Sequence, residues 1–596
     1  SGIAAAASTS IEELIFDGAS TEAIVRATGM AGLNTLTFSG NSSASVSGLQ
    51  DQALTVNAIL DGAGQQVVVS SSGTLSVNLN ANPTQVALEN RTDNDFDFKG
   101  STTAGIDISV GTYTSASGTY VLNNSTGDVG ITVDSTSVFG SHVQASGAST
   151  ISILGTGGIA ATVSGQNTQT ITVNASSGTL AVGSSAATTF NLTTTSNISL
   201  SGTASRLSGV QTMSINVGTN TADLSGANLG FQDMRNLSLA GAGTAATVLL
   251  NDVSGSGNNM VLTMTGLEGG VSAFNVSNAS GNVTIAAETM TGAIDIATLE
   301  TSAAGAITVS TGTLGNFSAS TVKGAGAFTL DAAAHVSGSG SIAVSDLSAS
   351  GAISISLGSG SGDVALLDVA GESTFTLDGS NFGGTLDVGT FTAAGNTTVS
   401  MGSEGYFSAS TIGTAGSFTL DGAASLTGQT TIQGITAGGG ITISMGTGTG
   451  GITLISGATG GNFTLDATTF GGTIDITNVT ASGAVVVSVG TNGDFSANVV
   501  ATQGAFTVDA SNAASGAVSL GTVTAGGNAT ISMGGGTGSL AITGVTAAGN
   551  ITIDASTFQG AIDVTTMSAS GAGTVSVGPS GDFSANQINT VGAFTM

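Results

Sequence analysis

The chain has 596 residues and a formal charge of -30 at pH 7, because 36 Asp and Glu side chains stand against only six Lys and Arg. Binding to nucleic acid, which needs clustered basic side chains, is therefore excluded, as is attraction to an anionic membrane surface. With 93 Gly, no Cys, and 40% hydrophobic but only 7% charged residues, the composition is too apolar for a disordered chain.

The abundance of Gly, Ser and Thr argues against helices, and Thr, Val and Ile separated by Gly-containing turns predict many short strands. No apolar run approaches the roughly 20 residues of a membrane helix, so we expect no direct membrane insertion. The opening residues "SGIAAAASTS" lack the basic segment of a signal peptide. Absence of Cys suits a secreted protein that must not cross-link.

Residues 1–245 form an irregular β-rich region in which one strand motif recurs at uneven intervals. The motif reads "GLNTLTFSG" from Gly32, "GVQTMSINVG" from Gly209 and "DMRNLSLAG" from Asp233. This pattern predicts a β-solenoid or a stacked sheet with longer loops.

The densest acidic segment of this region is "RTDNDFDFK", where Asp93, Asp95 and Asp97 alternate with other residues. Alternate residues of an extended strand share one face, so the three carboxylates would lie together. The segment is either a calcium site or a solvated sheet edge, and the residues alone leave both readings open.

Residues 246–596 divide into units of about 22 residues with two apolar columns. The first column comprises Val309, Leu330, Ile355, Leu377, Val399, Leu420, Ile443, Leu465, Val487, Val508, Ile531, Ile553 and Val575. The second comprises Phe317, Ile342, Val364, Leu386, Phe407, Ile432, Ile452, Ile474, Phe495, Val518, Leu540, Ile562 and Phe583. A period of two within each unit and of about 22 between units predicts an all-β, parallel β-helix, or β-solenoid, whose coils stack strand on strand.

A Thr row and a longer period accompany these columns. Thr precedes most first-column residues, as at Thr464 and Thr552, and is expected to face outward. Phe317, Phe407, Phe495 and Phe583 recur about every 88 residues, or four coils, and are expected to fill the core.

The residue after the first column alternates between Ser and Asp, as in Ser444, Asp466, Ser488 and Asp509. Adjacent coils would hold two carboxylates roughly 4.8 Å apart, where they repel by about 1 kcal/mol in water and more near a protein surface. Placing Ser between them doubles the separation to about 10 Å, near the Debye length in salt. The alternation of Asp with Ser therefore lets a column of carboxylates run along the stacked coils without strong repulsion between neighbours. We call this column the Ser/Asp ladder.

Three pairs of acids are candidate calcium ligands in this half of the chain. The second acid follows the first by nine residues, and a turn that folds back would bring the two together: Asp378 with Asp387, Asp466 with Asp475, and Asp554 with Asp563. Ca²⁺ takes six to eight oxygens at about 2.3–2.6 Å, so ladder carboxylates about 10 Å apart cannot share one ion. The alternative is that all six are separate solvated carboxylates on different faces.

Catalytic motifs are lacking. His142 and His335 have no metal-ligand spacing, and enzymes that act on acidic polysaccharides need basic side chains to bind the substrate carboxylate. No Lys or Arg follows Lys323, so the regular half is expected to have no such activity. The chain stops at Met596 on an inward column, which predicts that the polypeptide continues or that the edge is covered.

The composition is dominated by Thr, Ala, Gly, Ser and Val, Lys is scarce, Cys is absent, and the G-aliphatic-x-T-aliphatic motif recurs. In these features the chain resembles the surface-layer and repeat-adhesin proteins of Gram-negative bacteria. These proteins are related to RTX proteins and leave the cell by type I secretion. The resemblance implies an extracellular, cell-surface protein that assembles with copies of itself, usually with Ca²⁺, and that contacts cell-surface polysaccharide. The calcium-binding G-G-x-G-x-D repeat of the family has no intact copy here.

We therefore predict a non-enzymatic structural protein of a surface layer or filament. A repeat adhesin stalk is the alternative, and a polysaccharide-active β-helix enzyme is the third class considered.

Overall fold

The computed structural model is all-β across the residues that it describes, and parallel strands from successive coils stack as a β-solenoid with coils about 22 residues apart. The fold class predicted from the sequence is confirmed. Before position 210 the described residues are those of the strands given below and residue 197; beyond it they are 210–225, 234–255, 258–313, 316–332, 340–422, 427–512 and 515–596. No helix within these ranges is long and apolar enough to cross a membrane.

The chain forms two compact units, Ser1–Thr298 and Leu299–Met596. The strands of the first unit are β1 (Ile3–Ala4), β2 (Glu13–Asp17), β3 (Glu22–Arg26), β4 (Thr35–Gly40), β5 (Ser43–Leu49), β6 (Leu54–Leu60), β7 (Val67–Ser71), β8 (Leu75–Leu79), β9 (Ile106–Val110), β10 (Ala116–Val121), β11 (Val129–Val133), β12 (Phe139–Gln144), β13 (Thr150–Gly155), β14 (Gly158–Gly165), β15 (Thr170–Ala175), β16 (Ser177–Ser184), β17 (Thr189–Thr194), β18 (Ile198–Ser199), β19 (Thr212–Asn216), β20 (Thr221–Asp223), β21 (Asn236–Ala240), β22 (Thr247–Gly255), β23 (Met260–Thr265), β24 (Gly270–Asn278) and β25 (Val283–Thr289), followed by β26 (Ile294–Thr301), which spans the boundary.

The first unit is a solenoid with uneven coils. One sheet of this unit stacks β2, β4, β6, β8 and β9, and then the odd strands β11 to β25, all in parallel. The partners Met213 and Leu237 belong to the repeated strand motif and lie side by side. Coil length varies from the step Val173 to Leu192 to the much longer step Val77 to Ile108. The strand motif therefore recurs at uneven intervals in the sequence of this unit because the number of residues per coil changes.

The second unit contains β27 (Ile307–Ser310), β28 (Phe317–Gly324), β29 (Phe328–Ala332), β30 (Ile342–Ala349), β31 (Ile353–Leu357), β32 (Asp363–Gly371), β33 (Phe375–Gly379), β34 (Thr385–Ala393), β35 (Thr397–Met401), β36 (Tyr406–Thr414), β37 (Phe418–Gly422), β38 (Gln429–Ala437), β39 (Ile441–Met445), β40 (Gly451–Thr459), β41 (Phe463–Ala467), β42 (Thr473–Ala481), β43 (Val485–Val489), β44 (Asp494–Thr502), β45 (Phe506–Ala510), β46 (Val518–Ala525), β47 (Ala529–Met533), β48 (Ser539–Ala547), β49 (Ile551–Ala555), β50 (Ala561–Ala569), β51 (Gly573–Val577), β52 (Asp582–Thr590) and β53 (Phe594–Thr595). Short odd-numbered strands stack in one sheet, and long even-numbered strands stack in another.

The first apolar column is confirmed at every coil. Successive members are register partners, as in Ile443 with Leu465 and Ile531 with Ile553. All of them are almost completely buried. The Thr row alternates with this column and is half-exposed or exposed, as the period of two requires.

The second column is confirmed except at one coil. Phe407 pairs with Thr430, and Thr430 pairs with Ile452, so Thr430 occupies the position that the sequence pattern gave to Ile432. Ile432 lies two residues further on, in a neighbouring inward column between Ala409 and Leu454. The assignment of Ile432 was wrong because a period of two makes a shift by two residues invisible to an apolar pattern. Thr430 is fully buried, and its hydroxyl donates to Sδ of Met401 at 3.8 Å.

Each long strand bends in the middle. In β42 the inward residues are Ile474, Ile476, Val479 and Ala481, so two consecutive residues, at 477 and 478, both face outward. Two adjacent outward residues break the alternation of a straight strand. The long strand therefore has a first arm, before this corner, and a second arm after it.

Core volume alternates between Asp-bearing and Ser-bearing coils. The last residue of the short strand is Ala or Gly on Asp coils and a larger side chain on Ser coils, as in Gly422 beneath Met445 and Ala467 beneath Val489. The first residue of the short strand shows the opposite alternation in size: it is larger on Asp coils than on Ser coils, as at Phe463, which lies between Ile441 and Val485. Large groups thus interdigitate with small ones, which is how close packing without voids is reached. The packing unit is two coils.

A buried hydroxyl at Thr397 departs from this packing. Thr397 is 1% exposed, stacks between Phe375 and Phe418, and its Oγ1 has no hydrogen-bond partner among the residues that the structure describes. Thr459 is also buried, but its hydroxyl donates to the carbonyl oxygen of Gly439.

We expect Thr397→Val to stabilise the protein by about 1 kcal/mol, because a buried polar group without a partner is removed at constant shape. Thr459→Val is expected to destabilise by a similar amount, since it removes the hydrogen bond from the Thr459 hydroxyl to the carbonyl oxygen of Gly439, which then keeps only the backbone N–H of Gly461. Chemical denaturation of both variants measures the difference. Equal effects of the two substitutions would contradict this assignment.

Candidate functional site

The Ser/Asp ladder is in register along the short-strand sheet. Asp466 lies between Ser444 and Ser488, and Asp554 between Ser532 and Ser576. The same alternation holds from Ser310 to Ser576. The carboxylates are thus two coils apart, about 10 Å, as the repulsion argument predicts.

Four of the ladder Asp residues also cap the turn that follows their strand. Asp466 Oδ1 accepts from the backbone N–H of Thr468 at 3.2 Å and from its hydroxyl at 2.9 Å. The same acceptor role toward the residue two positions later is found at Asp378, Asp509 and Asp554. This is an Asx turn, which Asp forms readily. The ladder is therefore partly structural, and charge spacing is only one reason for its period.

A second set of carboxylates lies on the first arm of the long strands. Asp387, Asp475 and Asp563 face outward, and each accepts a hydrogen bond from a Ser hydroxyl on the next coil, with oxygen–oxygen distances of 2.6, 2.6 and 2.7 Å. Their partners are Ser408, Ser496 and Ser584. This carboxylate–hydroxyl pair recurs every four coils.

The six candidate ligands therefore occupy two different sheets. Asp466 is bound to its own turn and Asp475 to the neighbouring coil, and the other two pairs are placed in the same way. No group of three or more His, Cys, Asp or Glu side chains in the described ranges is arranged to hold a metal ion. Asp93, Asp95 and Asp97 lie outside the described residues.

Asn side chains link the coils at the corner before the short strand. Oδ1 of Asn462 accepts from the backbone N–H of Ala484, and Oδ1 of Asn550 accepts from Ala572, both at 2.8 Å and both across one coil. A Gly precedes each corner, as at Gly461 and Gly549, and stacks on the corresponding Gly of the previous coil. The sequence signal for this contact is the recurring "GN" dipeptide, which an apolar periodicity does not include.

The second unit has a shallow groove of about 540 Å³ near its start. It is lined by small residues and by Glu300, Lys323 and Glu372, and Lys323 Nζ is 3.9 Å from Glu300 Oε1. Both of these side chains are substantially exposed. An exposed ion pair of this kind contributes little stability and is not a preorganised catalytic site.

Comparison with protein-family models, with curated proteins and with solved structures gives no match for this chain.

Proposed function

We propose that this protein is a non-enzymatic structural component of a bacterial surface layer or extracellular filament, and that copies of it associate to form the layer. One observation carries the proposal: outward side chains repeat in constant register over every coil of the second unit. A repeated surface presents the same contact many times, which favours an extended interface over a single binding pocket.

The distribution of polar groups agrees with a structural role. The carboxylates in register accept hydrogen bonds within their own turn, as at Asp466 and Asp554, or from a Ser hydroxyl of the next coil, as at Asp475, so their described partners fix turns or join coils. Secretion to the cell surface and contact with surface polysaccharide are parts of the proposal that rest on the resemblance stated above. A polysaccharide-active enzyme would need turnover on a glycan, and we expect none.

Electron microscopy of the purified protein tests the proposal. Regular sheets or filaments are expected. Isolated particles at every concentration would instead favour the adhesin stalk, which displays a binding tip without assembling, and would overturn the structural-layer proposal.

Calcium dependence is a separate prediction. An ion at Asp475 would take oxygens from its carboxylate and from Ser496, and the remaining ligands would come from water or from a second molecule. We expect EDTA to disperse the assemblies and added Ca²⁺, but not Mg²⁺, to restore them, as followed by light scattering. Assemblies and melting temperature that are unchanged by EDTA would contradict calcium binding.

A further inference from the structure

One face of the second unit carries no charge over nine coils, from β34 to β50, although the same columns hold Asp346, Asp368 and Glu372 in the coils before β34. The second arms of the long strands β34 to β50 present three outward columns, which run from Thr390 to Thr566, from Thr392 to Ser568 and from Ala394 to Ser570. We call these three columns the uncharged face. All of their residues are described, and none is Asp, Glu, Lys, Arg or His.

The acids of the same coils all lie elsewhere. They stand on the short strands, as at Asp466, on the first arm of the long strands, as at Asp475 and Asp494, or in the turn between these two elements, as at Glu404. In a chain of net charge -30, this segregation leaves one surface where two copies can meet without opposing carboxylates. In the column of Thr390 the nearest acid is Asp368, one coil before Thr390, and the first-arm acids such as Asp475 lie beyond the corner of the long strand.

The apolar side chains are concentrated at the centre of this face. Between Tyr406 and Val591, Ile455 and Val499 are the only large apolar side chains exposed in the described coils, at 45% and 38%. Val499 lies within the face and Ile455 at its edge, on β44 and β40, which flank the central strand β42. An apolar centre with a polar rim is the usual anatomy of a protein interface.

The area is sufficient for a stable contact. Nine coils at roughly 4.8 Å and three columns roughly 7 Å apart give a surface of about 40 by 17 Å, or about 700 Å² on each partner. Standard interfaces bury about 800 Å² on each side.

We infer that the uncharged face is where a second copy of this chain docks, as a two-fold pair whose axis runs along β42. That axis reverses the order of the coils, so β40 of one copy faces β44 of the other, and Ile455 meets Val499 across the interface. The inference rests on the proposed function, because it names one of the surfaces through which copies associate; a two-fold contact joins copies in pairs, and a layer or filament requires a further contact between pairs.

The test uses two outward valines of the same coil. Val499 is on the uncharged face, whereas Val486 is in the Thr row of the short-strand sheet, paired with Thr464. Sedimentation velocity over a range of concentrations is recorded for the full chain, Val499→Asp and Val486→Asp. We expect Val499→Asp to weaken association at least tenfold and Val486→Asp to change it less than about twofold.

A second pair of variants guards against local unfolding. Thr436→Glu places a charge on the uncharged face, and Thr442→Glu places the same charge on the short strand that follows it in the chain. Circular dichroism verifies the fold of each variant. Association of the unsubstituted chain is expected to strengthen with NaCl, because salt screens repulsion between acidic copies.

The outcomes separate the two proposals. An unsubstituted chain that assembles, with face variants that assemble as well as the controls, overturns the docking inference and leaves the structural function standing. An unsubstituted chain that stays monomeric at all concentrations overturns both.

Discussion

Deleting residues 441–462, one full coil, is expected to destabilise the second unit strongly, whereas deleting residues 441–484, two coils, is expected to be tolerated. Both deletions join Gly440 to the first residue of a short strand and keep every element intact. The two deletions are expected to differ in stability because they bring different coils into contact.

Removal of one coil places two Asp coils in contact. Phe463 then stacks on Phe418, and Ala467 on Gly422, so one layer of the core is overfilled and another is left with a cavity. Asp466 also comes to about 4.8 Å from Asp421, where the ladder otherwise has Ser. Overpacking and cavity terms each amount to about 1–3 kcal/mol, so the combined destabilisation is about 2–6 kcal/mol.

Removal of two coils restores the alternation, with Val485 on Phe418 and Ser488 beside Asp421. The urea midpoint of both deletions, together with hydrogen exchange of the flanking coils, measures the contrast. Equal stability of the two deletions would show that the packing unit is a single coil.

The substitution Gly472→Ala is expected to produce the second large effect. A Cβ at this position would lie 1.9 Å from the carbonyl oxygen of Gly450 and 2.7 Å from Cζ of Phe470. The same contact with the previous coil recurs at Gly450 and Gly560, so the backbones approach too closely for any side chain. Because the obstacle is a backbone carbonyl, relief requires separation of the coils, and we expect a destabilisation of about 2 kcal/mol or more.

Gly544→Ala is the matched control. This Gly is also on a long strand, but a Cβ there meets nothing within 4 Å. The substitution is expected to be neutral or to stabilise by a few tenths of a kcal/mol, because it only reduces the freedom of the unfolded chain. Similar losses at both positions in chemical denaturation would refute the close-approach explanation.

The fold could be predicted because inward positions repeat in type as well as in spacing. Leu465 and its column are apolar in every coil, and the Ser/Asp position keeps its register throughout. The error at Ile432 has a physical cause, since Thr430 buries a hydroxyl whose described donor contact is the sulfur of Met401. An apolar pattern cannot predict a polar residue at a core position.

The candidate site was predictable only in part. The alternation of Asp was explained by charge repulsion, but the hydrogen bond from Thr468 to Asp466 and the volume change between Ala467 and Val489 depend on local geometry. The nine-residue spacing from Asp466 to Asp475 suggested a shared ion. The corner between the two strands instead gives each carboxylate separate partners. The uncharged face was not recognised, because its columns become visible only once the bend of the long strand is known.

Disulfide trapping measures the stacking of coils most directly, because the chain has no Cys of its own. Thr442 and Thr464 are register partners on successive coils, and Thr464 is in turn the partner of Val486. A disulfide requires Cα atoms about 4.4–6.8 Å apart, which adjacent coils satisfy and coils two apart do not. We predict that Thr442→Cys with Thr464→Cys forms an intramolecular disulfide under mild oxidation, and that Thr442→Cys with Val486→Cys keeps free thiols. Free thiols in the first variant, or a rapid bond in the second, would contradict the stacked register.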